Sequence, residues 1–478
     1  MEDDRRDKLE RLRAQGIDPF PHEFDGVVPV GSVHAAHGDL EPGDETDAAY
    51  RVAGRLTARR GHGGASFLDV VDRSGRIQVH ARKDVLGDES FETLTSLDLG
   101  DLVGIDGSAF MTKRGELSLK AAGWTLLAKS LRPPPEKFHG LEDVETRYRR
   151  RELDLMANQD TRELFILRSK VIAAVRRWLD GQGFLEVETP VLQPLYGGGL
   201  ARPFTTHYNA LDRDFYLRIA VELYLKRLIV GGLERVYEIG KNFRNEGLSH
   251  KHVPEFTMLE WYEAYADYGD MAAELEQLVS FVAAEVEYDG ELDLRAPWKR
   301  VTLRDAIRDE TGIDVLEHRE RDALVAAAGE RGISLGGDAS WPKLVDDLLS
   351  KHVEPKIARP TFILDYPVEL SPFAKGHRSE PGLVERFECF ASGMEFANAF
   401  TELNDPDEQR ARFEEQRRQT VAGDDETQPY DEDFVRAMEH GMPPTGGIGV
   451  GLDRLVMILS GRSSIREVVL FPAMREES

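Results

Sequence analysis

The stretch Val236–Tyr262 reads VYEIGKNFRNEGLSHKHVPEFTMLEWY. It divides into strand, polar loop and strand. Val236–Ile239 is short and β-prone, and Phe256–Tyr262 alternates in part. Between them lie Arg244, Asn245, Glu246, Lys251, His252 and Glu255, with Gly247 allowing a tight turn. Two strands joined by a loop dense in cations form an antiparallel platform with an anion-binding tip, which suits phosphate chemistry. A charged hairpin loop is as often simply solvated, so the rest of the chain has to decide.

Length bounds the answer. With 478 residues, 41% hydrophobic and 31% charged, the chain is expected to hold two or three soluble globular domains. No run approaches the apolar length of a membrane span, and the N-terminus MEDDRRDKLERLRAQG is too charged for a signal peptide. Cys389 is the only cysteine, which excludes an internal disulfide and a thiolate zinc cluster. A cytoplasmic protein without a membrane partner is expected. The net charge of −26 argues against a basic nucleic-acid coat, while Arg55–Arg60 and Arg147–Arg151 leave room for local basic patches.

In chain order, residues 1–49 are expected as an extension: a charged helix over 4–15, then a polar, loop-like stretch rich in Gly, Asp and Pro. Residues 50–128 shorten into five β-like segments with one helical stretch, Asp84–Leu97, as in a small all-β Greek-key barrel of the oligonucleotide-binding (OB) type. A generic structural barrel fits that pattern equally well. Phe67, beside Arg59, Gln78 and Glu116, offers a stacking face with donors and acceptors for unpaired bases. By itself Phe67 is as well read as a core residue.

Residues 129–150 are expected as a linker, stiffened by Pro133–Pro135. From 151 to 478 the β and helical signals mix, beginning with an amphipathic helix over Asp160–Gly181. GFLEVETPVL (183–192) contains Pro190, which confines a strand to an edge or an end and suits a subunit interface. Gly197, Gly198 and Gly199 precede ARPF, and the region 267–355 reads as a helical insertion. The β signal returns at 360–367, 386–403 and 445–461, the last with glycines feeding an apolar helix.

Three of these segments together resemble a known family. FRNEG…HKHVPEFTMLEWY resembles motif 2 of class II aminoacyl-tRNA synthetases, GFLEVETPVL resembles motif 1, and GIGVGLDRLVMIL resembles motif 3. RIAVELYLKRL, EFANAFTELNDP and REVVLFPAMR are similar to the bacterial class II lysyl-tRNA synthetase family, and the likeness spans nearly the whole chain. The resemblance implies an α+β fold: an antiparallel-sheet catalytic domain flanked by helices, a homodimer formed through motif 1, and an OB-fold barrel for the anticodon. The implied substrates are ATP, L-lysine and tRNA(Lys), with Mg2+ as cofactor.

The same resemblance assigns roles residue by residue. Arg244 and Arg454 are the implied catalytic residues. Arg244 would bridge the substrate carboxylate and the α-phosphate, a task for a planar fork. Lys251 and His252 would hold the departing phosphates and Glu246 the adenine amino group, with the ring between Phe256 and Arg454. Gly198, Glu222, Glu260, Tyr262, Asn398, Phe400 and Glu402 would bind lysine, with Glu222 at the α-amino end and Tyr262 and Glu402 at the ε-ammonium. Glu388 and Glu395 would hold magnesium through hard carboxylate oxygens. Their spacing of seven puts them on opposite faces of a regular strand, so a bulge, or a turn at Ser392–Gly393, is required. Arg59, Phe67, Gln78 and Glu116 would read the anticodon. A lysine-transferring paralogue acting on protein would lack the barrel, and a non-catalytic regulator would be expected to have lost Arg244 or Arg454; this chain keeps all of these.

Overall fold

Alternation and turn chemistry explain most of what is observed. The computed structural model describes residues 2–135, 141–199, 201–336, 339–421 and 428–475. Two compact units divide the chain. The first runs to Glu142 and also takes in Glu152–Ala157; residues 136–140 of the expected linker lie outside the described residues.

The first unit is a closed barrel of β1 (Glu45–His62), β2 (Ala65–Asp72), β3 (Gly75–Arg82), β4 (Leu102–Met111) and β5 (Leu117–Ala128), in the order β1-β2-β3-β5-β4. Inward residues such as Leu56, Leu68, Ile77, Val79, Ile105 and Leu119 are fully buried, as period-two alternation requires. The expected helical stretch is present as Lys83–Leu86 and Asp88–Ser96. The polar stretch after Pro21 is not all loop: Val30–His37 is a helix, and its Val30 and Val33 pack with Leu12 into the barrel core.

The second unit carries short strands β6 (Leu185–Glu186), β7 (Leu192–Gln193), β8 (Thr205–Tyr208) and β9 (Arg213–Leu217). Then come β10 (Arg235–Phe243), β11 (Glu255–Ala264), β12 (Lys299–Thr302), β13 (Thr361–Pro367), β14 (Leu383–Ala391), β15 (Met394–Thr401) and β16 (Thr445–Gly451). Eight of them form one sheet in the order β12-β13-β14-β15-β16-β11-β10-β6, antiparallel except at its two ends. Pro190 lies in no strand: it falls between β6, at the edge of this sheet, and β7, at the edge of the three-stranded sheet β7-β9-β8.

One face of this sheet is a core. Tyr237, Leu259, Trp261, Phe387 and Val450 pack there against residues of the helices Gln159–Gly181, Tyr268–Glu285 and Leu452–Ser460. The region 267–355 is therefore not helical throughout. Its first helix belongs to this core, and its strand β12 pairs parallel with β13. Among the described residues no helix is long and apolar enough to cross a membrane.

Candidate active site

Successive side chains on a strand point to opposite faces, so burying Leu259 and Trp261 turns Met258, Glu260 and Tyr262 to the other face. The register lines up what they meet there. Glu388, Asn398, Gly449, Glu260 and Glu238 fall opposite one another across β14, β15, β16, β11 and β10. Arg386, Phe400, Gly447, Tyr262 and Val236 form the next row. Two adjoining cavities open on this face, with Gly447 and Gly449 as their side-chain-free floor.

The first cavity brings together Arg244, Glu246, Lys251, His252, Phe256 and Arg454, all six residues expected at the nucleotide. The Arg244 guanidinium lies 5.2 Å from the Phe256 ring centre. Its Nε is buried and has no hydrogen-bond partner among the described residues. Burial pulls Arg244 below its ordinary value, opposed by Glu246, Glu395 and Glu260. Arg454 donates to the Glu395 carbonyl at 2.6 Å and reaches the Glu395 carboxylate at 3.2 Å, with His252 Nε2 3.4 Å away. Burial and the Arg454 charge lower the His252 pKa. Lys251 borders the cavity, but its ammonium donates to Glu354 at 2.6 Å and to the Gly393 carbonyl at 2.7 Å. Asp453 holds this end of the following helix in place, accepting from the Thr257 amide at 2.7 Å and pairing with Arg168 at 2.6 Å.

The second cavity is lined by Gly198, Glu222, Glu260, Tyr262, Asn398 and Phe400 of the expected amino-acid residues, together with Glu388 and Glu395. Tyr262 donates to Glu260 at 3.1 Å. Burial, and then the Glu222 charge, push Glu260 up to about 7. Gly198 takes a positive φ of 82°, and a Cβ there would meet Ala220 Cβ at 3.1 Å, so glycine suits this close approach. The Glu402 side chain is fully buried and ion-paired with Lys226, and its carboxylate lies against the floor at Gly447. Arg244, Met258, Glu395, Asn398 and Gly449 belong to both cavities.

The spacing of Glu388 and Glu395 is resolved by the β14–β15 hairpin. Ser392 and Gly393 form its turn with φ of 52° and 67°. The register shifts between the pairs Cys389–Ala397 and Phe390–Glu395, so β15 carries one extra residue, a bulge. Phe396 and Ala397 both enter the core, and Glu395 faces the same cavity as Glu388. Burial raises Glu388 to about 7, Arg386 opposing and Glu395 adding to the rise.

In the barrel, Phe67 stacks on His80 with ring centres 4.6 Å apart and planes 10° from parallel. Gln78 donates to Glu116 at 3.1 Å and accepts from Ser118 at 3.0 Å. Arg59 is turned away from this group and donates to the Leu97 carbonyl at 2.6 Å. Arg60 joins it instead, through Asp69 and Arg76 to Glu116.

Several site residues escape a reading of the sequence. Lys226 sits beside Arg227 in the helix Glu222–Val230, where nothing local sets it apart, and Gln428, whose Oε1 accepts from the Gly198 amide at 3.1 Å, lies 230 residues from that glycine. Arg386 donates to Asn398 and Glu388. The glycines of 445–451, which precede the apolar helix, form the cavity floor at Gly447 and Gly449.

A sheet of this order, with one arginine shared by two cavities and a separate barrel, defines a class II tRNA synthetase. The chain belongs to that family: residues 143–475 match the family model "tRNA synthetases class II (D, K and N)", and residues 50–127 match "OB-fold nucleic acid binding domain". Within it, the chain is 50% identical over 481 residues to the lysine–tRNA ligase of Bacillus subtilis (strain 168), covering 99% of this chain and 96% of that protein. The lysine–tRNA ligase of Dehalococcoides mccartyi is 50% identical over 479 residues, with 98% and 96% covered, and that of Bacillus mycoides (strain KBAB4) 48% over 482, with 99% and 97% covered.

Proposed function

We propose that this protein is a lysine–tRNA ligase: it activates L-lysine with ATP to lysyl-adenylate and transfers the lysyl group to the 3′ end of tRNA(Lys). One observation carries the reading. Arg244 stands in the wall shared by both cavities with a buried Nε that has no hydrogen-bond partner among the described residues, where it can neutralise an amino-acid carboxylate on one side and an α-phosphate on the other.

In the first step a carboxylate oxygen of lysine attacks the α-phosphorus and pyrophosphate leaves. In the second, a hydroxyl of the terminal adenosine attacks the lysyl carbonyl and AMP leaves. Both steps need charge neutralised in a dry site more than they need covalent help from the protein. Phe256 gives the adenine ring a stacking face, and Glu246 an acceptor. At the other end Glu222 and Glu260 present negative charge to ammonium groups, which an aspartate side chain would be repelled by. Glu388 and Glu395 would hold Mg2+, which takes one or two carboxylates and completes its shell with phosphate oxygens and water. That fits two carboxylates facing one cavity, with no group of three or more His, Cys, Asp or Glu placed to hold a metal among the described residues. When bound it would offset phosphate charge. We read the protein as a cytoplasmic homodimer joined along the edge where Leu185, Val191 and Leu192 are exposed.

Lysine-dependent pyrophosphate exchange, followed by charging of tRNA transcripts, tests this reading. Exchange driven by aspartate instead of lysine would refute it. Phe67→Ala should weaken charging roughly tenfold or more through the KM for tRNA, since base stacking contributes ~1–3 kcal/mol, while leaving exchange unchanged. An equal loss in exchange would remove the anticodon role.

A pH dependence follows from Glu260. Its carboxyl titrates near 7, and only the ionised form attracts an ammonium, so kcat/KM for lysine should rise from pH 6 to pH 8 while the KM for ATP stays flat. The same upward shift means the folded state holds that proton more tightly than the unfolded chain. Its contribution to stability therefore falls as pH rises from the ordinary carboxylate range through about 7. A lysine kcat/KM that is level across this window would argue against Glu260 at the amine.

A further inference from the structure

We infer that Lys226 is a positioning residue of the amino-acid site, whose buried ammonium holds Glu222 and Glu402 and sets the site's charge to match the two amino groups of lysine. The inference rests on reading the second cavity as the lysine site.

Lys226 lies one turn after Glu222 in the helix Glu222–Val230, so the i,i+4 spacing puts both on one side of the helix. Its Nζ lies 2.6 Å from Glu222 and pairs as well with Glu402, which arrives just past the end of β15. The side chains of Lys226 and Glu402 are both wholly excluded from solvent. The Phe373 ring centre lies 5.1 Å from the ammonium. On β11, Glu260 and Tyr262 also face Glu402.

Lys226 does not line the cavity, whereas Glu222, Glu260 and Tyr262 do. A residue that does not reach the substrate has to act through those that do. Three carboxylates, Glu222, Glu260 and Glu402, crowd this end of the site, and isolated buried charges are costly. When all three are ionised, one fixed ammonium leaves two negative charges, one for each ammonium group of lysine. Without it the cluster would carry three, and a carboxylate would take up a proton rather than stay charged. Burial and the neighbouring carboxylates already push Glu402 upward, and Lys226 is what opposes the rise.

Calorimetric binding of lysine from pH 6 to pH 9, with ATP binding as the internal control, tests the assignment. Lys226→Met should bind lysine at least tenfold more weakly than wild type at pH 7, with unchanged ATP affinity. Binding should recover at a pH at least one unit above the wild-type midpoint. Lys226→Arg keeps the charge and should keep the wild-type midpoint even if its bulk weakens binding. A weakening of Lys226→Met that is the same at every pH, or no weakening, would overturn the inference. If Lys226→Met does not fold, a shifted midpoint in Lys226→Arg would overturn it instead. Failure of the underlying reading looks different: wild type itself would then not bind lysine.

Discussion

Arg244→Ala is expected to abolish lysine-dependent pyrophosphate exchange, by about 10³-fold or more in kcat, in a protein that still folds. Removing one preorganised donor from a transition state typically costs ~10²–10³-fold, and Arg244 is placed to serve two anions at once. Its guanidinium is held over Phe256 at 5.2 Å, and its Nε has no partner to lose among the described residues. Truncation therefore strands few polar groups, and thermal unfolding should change little. Arg244→Lys should rescue only a small part, because a point charge cannot present two parallel donors. Exchange retained within tenfold of wild type would remove Arg244 from the chemistry.

Gly447→Ala is expected to lower kcat/KM for lysine by about 10²-fold and stability by about 1–3 kcal/mol, the usual cost of forcing extra atoms into a packed site. A Cβ at this position would overlap the Glu402 carboxylate and the Tyr262 ring. Relief by backbone movement is blocked, since β16 is paired with β11 on one side and β15 on the other. The carboxylate and the phenol would have to move, and the lysine end of the site with them. Steady-state exchange kinetics and a thermal melt check both parts. A variant with normal lysine kinetics and a lowered melting temperature would mean that the crowding is only structural.

Residues 236–262 were legible because local pattern and tertiary role agree. Alternation puts Leu259 and Trp261 in the core and Glu260 and Tyr262 on the site face, and the polar loop between the strands lines the first cavity with Arg244, Glu246, Lys251 and His252. The barrel was legible for the same reason. Residues 267–355 were read as helical because β12 has only four residues, KRVT, and its strand character comes from pairing with Thr361–Leu364 about sixty positions away. Val30–His37 was hidden by its polar, glycine-bearing setting, yet Val30 and Val33 are fully buried. Lys226 and Gln428 carry no local signal at all: what makes them part of the site is Glu402 in one case and Gly198 in the other, both distant in sequence.

The bulge in β15 makes the composition of the catalytic face a matter of counting. Glu395 pairs with Phe390, two residues from Glu388, so the turn at Ser392–Gly393 already puts both glutamates on one face; the surplus Phe396 sinks into the core beside Ala397 and brings Asn398 and Phe400 to that same face. The same residues in a regular ladder would pair Glu388 with Ala397 and turn Asn398 and Phe400 into the core. Side-chain period is two, so parity alone would assign those two residues to the wrong side of the sheet. The lining of the second cavity is thus specified by the number of residues between Glu395 and Asn398 as firmly as by the residues themselves.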